Sequence, residues 1–119
     1  TGYVGLVSGA CFADFGHQVT CIDTDEAKIA AIKAGRMPIW EPGLEALVRV
    51  NVERGRLHFT TDLAAGIRGA EAIFIAVGTP ARRGDGHADL SFVYAAAKEI
   101  AGALTGPAVV VTKSTVPVG

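Results

Sequence analysis

The residues with the clearest chemical potential stand at the start of the chain, where Thr1-Gly2-Tyr3-Val4-Gly5 runs directly into a helical pattern. This order matches the last five positions of the dinucleotide-binding pattern G-x-G-x-x-G. A pyrophosphate would approach the backbone at Gly2, while Gly5 would let the helix press against a strand. The free N–H groups and positive dipole end of the helix favour phosphates. A tight helix start without a ligand is the alternative.

An acidic residue follows at the spacing that this chemistry needs. Asp23 lies 18 residues after Gly5, at the end of a short β-rich run. A carboxylate about 20 residues after the glycines accepts hydrogen bonds from the adenosine ribose and repels a 2′-phosphate, so NAD is favoured over NADP. Alternatively Asp23 caps the next helix, although Thr24 or Asp25 can do so. Lys28 either reaches the ribose or phosphate or lies on a solvated helix face.

The elements that must position these residues alternate along the chain. Hydrophobic periodicity predicts helices at 4–15, 25–34, 43–53, 62–67 and 90–104, and strands at 18–22, 57–60, 72–77 and 108–112. The last two strands are continuously apolar, which is typical of parallel strands buried on both faces. The alternation therefore predicts an α/β fold, a Rossmann-type doubly wound parallel sheet.

Apolar spacing and helix-end residues refine this prediction. The side chains expected to face the core are Ile29, Ala30 and Ile32 in the second helix and Leu44, Leu47, Val48 and Val52 in the third. Small residues in the first helix suit close packing on the sheet: Ser8, Gly9 and Ala13. The residues expected to end or begin helices are Gly16, Gly35, Pro42, Thr61 or Asp62, and Asp89.

Two strand exits are candidates for further contacts, because ligands of open α/β sheets sit beyond the carboxyl ends of the strands. One exit is Val77-Gly78-Thr79-Pro80, and the other is Thr112-Lys113-Ser114-Thr115. Each places hydroxyls and backbone groups at the predicted crevice. Ordinary turn chemistry explains the same residue types.

Six stretches resemble, in order and spacing, the NAD-binding domain of the UDP-glucose/GDP-mannose dehydrogenase family. They are residues 1–6, 39–44, 55–57, 74–80, 88–90 and 113–119, so the resemblance covers essentially the whole chain. Position 40 holds tryptophan where the family motif usually has tyrosine, and we expect only a packing difference. Glu41 and Pro42 are expected to set the start of the next helix, and a cofactor role is the alternative.

The resemblance implies an enzyme that oxidises a primary alcohol of a nucleotide sugar to a carboxylate and reduces two NAD, with the second oxidation passing through a cysteine thioester. The chain is most similar to the members that oxidise UDP-glucose to UDP-glucuronate. GDP-mannose or a UDP-N-acetyl sugar is the alternative substrate, and a non-catalytic NAD-binding module is the alternative class. The catalytic cysteine would lie downstream, so Cys11 and Cys21 are expected to be buried thiols.

The resemblance also implies residue roles. Tyr3 and Val4 would lie at the pyrophosphate, Asp23 and Lys28 at the adenosine ribose, and Thr79 along the cofactor. Thr115 would be the catalytic residue, in contact with the nicotinamide and the catalytic water. The full set expected to bind NAD is Gly2, Tyr3, Val4, Gly5, Asp23, Lys28, Val77, Gly78, Thr79, Ser114 and Thr115.

Composition limits the other classes of partner. The net charge is −1 and half of the residues are hydrophobic, which is typical of a globular domain and argues against a nucleic-acid or membrane partner. Three dispersed histidines (His17, His58 and His87) predict no metal site. Two cysteines favour a reduced, cytoplasmic setting. The family suggests a homo-oligomer for the full-length protein.

Both ends of the chain fall inside motifs, so we expect residues 1–119 to be an excerpt of one partial Rossmann domain. The first strand would precede Thr1 and lie at the centre of the sheet. Without it, two strand edges lack partners and invite aggregation. The excerpt alone is therefore expected to fold poorly and to be inactive.

Overall fold

The computed structural model describes residues 2–114 as alternating helices and strands. In chain order they are α1 (Tyr3–Asp14), β1 (Val19–Ile22), α2 (Glu26–Lys33), α3 (Leu44–Glu53), β2 (Leu57–Thr60), α4 (Leu63–Ile67), β3 (Ala72–Ile75), α5 (Ser91–Ala103) and β4 (Val109–Thr112). Each predicted helix and strand is present, with ends displaced by at most two residues. The predicted α/β class is confirmed.

Helix ends follow local chemistry closely. The side chains of Asp25 and Asp62 accept hydrogen bonds from the backbone N–H groups of Lys28 and Ala65, at 3.0 and 3.1 Å, so they cap α2 and α4. Gly16 and Gly35 follow α1 and α2 with φ of 106° and 87°, a conformation that strains other residues. These predicted ends are confirmed.

Two predicted helix starts need adjustment. Gly43 is the N-cap of α3, with φ 81°, so Pro42 precedes the helix instead of lying in its first turn. Leu90 occupies the N-cap position of α5, but the Asp89 carboxylate still accepts a hydrogen bond from Ser91 N at 2.9 Å. The hydrogen bonds from Ser91 lower the pKa of Asp89.

The strands form two parallel pairs. β1 pairs with β2, with Val19 opposite Leu57, and β3 pairs with β4, with Ala72 opposite Val109. Within residues 2–114, β1 and β3 do not pair with each other. This separation is the arrangement expected if another strand lies between them.

Helix α1 contacts both strand pairs. Gly9 faces β1 at Cys21, whereas Gly5 faces Ala76, directly after β3. The rings of Phe12 and Phe74 are 5.3 Å apart between centroids. The N-terminal turn of α1 therefore lies at the carboxyl end of β3, where the sheet fold places a ligand.

Each strand pair has its own hydrophobic core. The larger core joins α1, α2 and α3 to β1 and β2 and contains Leu6, Ala10, Ala13, Cys21, Ile29, Ile32, Leu44, Val48, Leu57 and Phe59. The smaller core contains Ile67, Ile73, Ile75 and Ile100. Ile22 packs against the smaller core and meets α4 closely, since a Cβ added at Gly66 would lie 2.6 Å from Ile22 Cδ1.

The prediction that β3 and β4 are buried on both faces is wrong within the described residues. Ile73 and Ile75 are buried, but Phe74 is 43% exposed and Val109 is 64% exposed. The described helices cover the face that carries Ile73 and Ile75, where Ile100 packs. They leave the opposite face largely open.

The predictions that Ala30 and Val52 face the core are also wrong. Ala30 is exposed, and Val52 is 45% exposed, while Asn51 is completely buried. Asn51 lies seven positions after Leu44 and therefore shares its helix face, whereas Val52 falls at the edge of that face. The apolar pattern missed Asn51 because its side chain is polar.

Neither a membrane helix nor a metal centre is evident in the described part of the chain. Among residues 2–114, none of the helices has the length and apolar character that crossing a bilayer requires. Histidine, cysteine, aspartate and glutamate side chains do not gather there into groups of three or more that could hold an ion.

Candidate cofactor-binding site

The N-terminus of α1 offers backbone donors. Gly2 is the N-cap, and in the described part of the chain its helix receives no hydrogen bond from a capping side chain. Leu6 N donates to Gly2 O at 2.9 Å, which closes the first helical turn. The earlier N–H groups of such a turn are available to an anion, and the helix dipole favours negative charge there.

Gly2 has space around it. A Cβ added at Gly2 would meet none of the atoms of residues 2–114 within 4 Å, and its φ of −70° suits any residue. Neither packing nor backbone strain within the described structure therefore requires glycine here. A group that approaches this backbone from outside, as the pyrophosphate of NAD does in this type of fold, would need the space. The residues present thus fit the cofactor that the sequence predicts.

The close packing of α1 on the strands occurs mainly at Gly9. A Cβ added at Gly5 would lie 3.5 Å from Ala76 Cβ, an ordinary contact distance. A Cβ at Gly9 would lie 2.7 Å from Cys21 Sγ, which is too close. The packing role predicted for Gly5 is therefore weaker than the one at Gly9.

Asp23 and Lys28 lie together directly after β1. Asp23 Oδ2 is 3.6 Å from Lys28 Nζ, and Asp23 Oδ1 accepts a hydrogen bond from Asp25 N at 2.9 Å. The Asp23 side chain is only 16% exposed. Because Asp25 caps α2, the alternative that Asp23 is the cap is wrong. The ion pair also draws Lys28 back toward β1 and away from an open helix face.

The exits of β3 and β4 are joined by hydrogen bonds. Ser114 Oγ contacts Val77 O at 2.8 Å and Ile75 O at 3.3 Å, so its single proton serves one or both carbonyls. Lys113 N donates to Ile75 O at 2.8 Å. Val77 packs against the smaller core, Thr79 is half-buried and Gly78 is exposed. Thr115 lies outside the described residues.

The predicted site residues thus form two groups. Gly5 adjoins the residue before Val77, and Ser114 bonds to Val77, so the N-terminal turn of α1 and two strand exits lie together. Asp23 and Lys28 form the second group, at the exit of β1. An elongated ligand with a phosphate-rich centre and a ribose at one end suits such an arrangement.

One contact of this site was not predicted from the sequence. Tyr3 Oη donates a hydrogen bond to Glu41 Oε2 at 3.3 Å. Glu41 was expected mainly to set the start of α3, which it does by accepting a hydrogen bond from Leu44 N at 3.1 Å. The two partners are 38 residues apart, so no local pattern could have shown the contact.

The two cysteines differ in burial. Cys21 is buried, and its removal from water raises the pKa of the thiol to about 11. Cys11 is only half-buried, so the expectation of two buried thiols is wrong for Cys11. Both thiols are free.

The fold and the two groups of residues define a Rossmann-type dinucleotide-binding domain. The sequence matches, over residues 1–119, the family described as the UDP-glucose/GDP-mannose dehydrogenase family, NAD binding domain. The chain belongs to this family of NAD-dependent dehydrogenases, and the predicted resemblance is confirmed.

Named relatives share most of the chain. It is 68% identical over 118 residues to the UDP-glucose 6-dehydrogenase of Rhizobium meliloti, and the match covers 99% of this chain and 27% of the relative. It is 56% identical over 119 residues to the UDP-glucose 6-dehydrogenase TuaD of Bacillus subtilis, and this match covers 100% of this chain and 26% of the relative. The chain therefore spans about a quarter of the length of these curated relatives.

Solved structures agree on the fold. A GDP-mannose dehydrogenase from Pseudomonas aeruginosa superposes with a TM-score of 0.91 at 39% identity, over 97% of this chain and 27% of its own. A UDP-glucose dehydrogenase from Pyrobaculum islandicum gives a TM-score of 0.90 at 40% identity, over 98% of this chain and 27% of its own. Enzymes that act on different sugars thus share this domain.

Proposed function

We propose that the chain is the NAD-binding part of a UDP-glucose 6-dehydrogenase, which oxidises UDP-glucose to UDP-glucuronate and reduces two NAD. The observation that carries the sugar assignment is the 68% identity to a relative of that name. The cofactor itself supplies the oxidising chemistry by accepting a hydride. Since the chain spans about a quarter of its relatives, the reaction is proposed for the full-length protein.

The proposed role of α1 is to bind the pyrophosphate. Its first-turn N–H groups donate to phosphate oxygens, and the absence of a Cβ at Gly2 lets the phosphates approach. Tyr3, Val4 and Gly5 form the same turn, so their backbone follows the ligand. No cationic side chain is needed for this, because the helix end supplies the positive potential.

The proposed role of Asp23 is to accept hydrogen bonds from the adenosine ribose. Its low exposure and its contacts with Asp25 N and Lys28 fix the carboxylate in one orientation. Lys28 also offsets the cost of a partly buried negative charge. A 2′-phosphate at this point would be repelled, which favours NAD over NADP.

The strand exits complete the proposed site. Val77, Gly78, Thr79 and Ser114 would line the cofactor, and the bond from Ser114 to Val77 keeps the two exits together. The Ser114 oxygen retains acceptor capacity for a ligand donor. Thr115 is proposed, from the family resemblance, to contact the nicotinamide and the catalytic water. We also propose that the full-length protein is a cytoplasmic homo-oligomer. The free thiols support the cytoplasmic location, and the family resemblance supports the homo-oligomer.

A second candidate substrate is GDP-mannose. It is supported by the TM-score of 0.91 with a GDP-mannose dehydrogenase, although that identity of 39% is well below 68%. Incubation of the full-length protein and NAD with each nucleotide sugar, followed by NADH absorbance, separates the two. Formation of two NADH per UDP-glucose supports the proposal, and turnover of GDP-mannose alone contradicts it.

Calorimetric titration of the full-length protein with NAD, and separately with NADP, tests the cofactor site. We expect NAD to bind more tightly, and Asp23→Asn to weaken NAD binding roughly tenfold through loss of a charged hydrogen bond. Asp25→Asn is the matched control, because Asp25 caps α2 and is not assigned to the ligand. A folded protein that binds neither nucleotide contradicts the proposal, as does equal loss in both variants.

A further inference from the structure

Glu41 holds the side chain of the first residue of the phosphate-binding helix. The hydroxyl of Tyr3 donates to Glu41 Oε2 at 3.3 Å, although Tyr3 itself is 53% exposed. An exposed tyrosine without such a partner exchanges between rotamers, and ordering it on ligand binding costs free energy. We propose that Glu41 is a positioning residue for NAD: it fixes Tyr3 beside the phosphate-binding turn before the cofactor arrives. The inference rests on the proposed NAD site at α1.

Glu41 can do this because its own position is fixed. Its backbone carbonyl accepts a hydrogen bond from Leu44 N at 3.1 Å, which ties it to the start of α3. Gly43 completes that tight turn with φ 81°. The side chain of Glu41 therefore projects from a rigid helix start.

Helix α3 is in turn held against α1 along its length. Leu44 and Val48 share the larger core with Leu6 of α1. Near the other end, Asn51 Nδ2 donates to Asp14 Oδ1 at 3.2 Å. The distance between Glu41 and the N-terminal turn of α1 is thus set by packing, and the hydrogen bond transfers this rigidity to the Tyr3 ring.

The charge and the hydrogen-bonding capacity of Glu41 have opposite expected effects on NAD. A carboxylate near a phosphate site repels the ligand, so removal of the charge alone does not weaken binding. Removal of the acceptor frees Tyr3 and weakens binding, because the cost of ordering the ring then falls on the ligand. Glu41→Gln separates these effects, since the amide oxygen still accepts a hydrogen bond.

The experiment is a set of NAD titrations on the full-length protein and its variants. We expect Tyr3→Phe and Glu41→Ala each to weaken NAD binding roughly threefold, and the double variant to bind no more weakly than either single one. Glu41→Gln is expected to bind as tightly as the wild type or more tightly. Glu45→Ala is the control, because it removes a negative charge from the exposed first turn of α3.

Two shorter ligands distinguish positioning from general damage. ADP-ribose contains the pyrophosphate and should show the same losses as NAD, whereas adenosine, which has no phosphate, should bind all variants equally. Additive effects of Tyr3→Phe and Glu41→Ala, equal losses for adenosine, or a loss in Glu45→Ala like that in Glu41→Ala would overturn the inference. A wild-type protein that binds no NAD would instead overturn the proposed function, and the inference with it.

Discussion

Gly9 and Cys21 approach so closely that the Sγ atom lies 2.7 Å from the place of a Cβ at residue 9. Cys21 is at the centre of β1 and buried in the larger core, so its sulfur has little room to move. Glycine at position 9 therefore sets how near α1 lies to the sheet.

Gly9→Ala should destabilise the protein. Overpacking of this kind costs about 1–3 kcal/mol, partly offset by the better helix propensity of alanine. Gly102→Ala in α5 is the matched control, because a Cβ there meets nothing within 4 Å among the described residues and should be neutral or stabilising. Denaturant melts of the full-length variants give the comparison. Equal stability of Gly9→Ala and wild type would contradict the close packing, and Gly9→Ala with Cys21→Ala should restore part of the loss.

Gly2→Ala should have the reverse profile. The space around Gly2 and its ordinary backbone angles predict only a small loss of thermal stability, which comes from alanine being a poorer N-cap residue than glycine. NAD affinity should fall roughly tenfold or more, because the added methyl occupies the space that the pyrophosphate needs. Calorimetry and a thermal melt on the same sample test both parts. Unchanged NAD affinity would show that the phosphates do not approach this backbone.

Asn51 should tolerate an apolar replacement better than a charged one. Its Nδ2 donates to Leu47 O at 2.9 Å and to Asp14 Oδ1, while its Oδ1 has no partner in the described structure. Asn51→Asp places a buried carboxylate against these two acceptors and should cost about 3 kcal/mol. Asn51→Leu removes the unpaired oxygen and should stay within about 1 kcal/mol of wild type. Denaturant midpoints that rank the variants in the opposite order would refute this account.

Cys21 should resist alkylation in the native protein. Burial raises its pKa from 9.0 to about 11, which lowers the thiolate fraction near neutral pH about a hundredfold. Cys11 is half-buried and should react first with iodoacetamide, as peptide mass spectrometry can follow. Faster labelling of Cys21 than of Cys11 would contradict the burial of its thiol.

The same pKa shift has a consequence for stability. The folded state holds the Cys21 proton more tightly than the unfolded chain, so this contribution is complete below pH 9 and is lost as the pH rises toward 11. Cys21→Ala should flatten this part of the alkaline unfolding profile relative to wild type. An identical slope in both proteins would show that another group is responsible.

The 119 residues alone should fold poorly. β1 and β3 each have an edge without a strand partner in the described structure, and such edges favour aggregation. A longer piece of the full-length protein that supplies a strand between β1 and β3 should give a soluble monomer with one cooperative melt. If the unextended chain already behaves in this way, the prediction is wrong.

Local chemistry was the most predictable part of the structure. The caps at Asp25 and Asp62 and the helix ends at Gly16 and Gly35 follow from the residue types themselves, because each satisfies nearby backbone groups. The pairing of Asp23 with Lys28 could be predicted from the sequence for the same reason, since the two residues are only five positions apart. The helices and strands therefore appear close to their predicted bounds.

The errors arose where distant residues decide the outcome. Phe74 and Val109 look like core residues in any apolar run, but their exposure depends on which helix lies opposite. Asn51 is buried because Asp14 and Leu47 provide acceptors for its amide, and a hydrophobic pattern cannot include it. The hydrogen bond from Tyr3 to Glu41 could not be predicted from the sequence, because it forms only when α3 packs on α1.

The division of the interior into two cores suggests how the domain opens. Each core unites its own strand pair, and the two meet through α1 and at Ile22 with Gly66. Such a seam allows the halves to exchange their amide hydrogens in separate subglobal openings. Asp23 and Val77 lie on opposite sides of this seam. A dinucleotide that contacts both would act as a tether, slowing exchange in the two halves together.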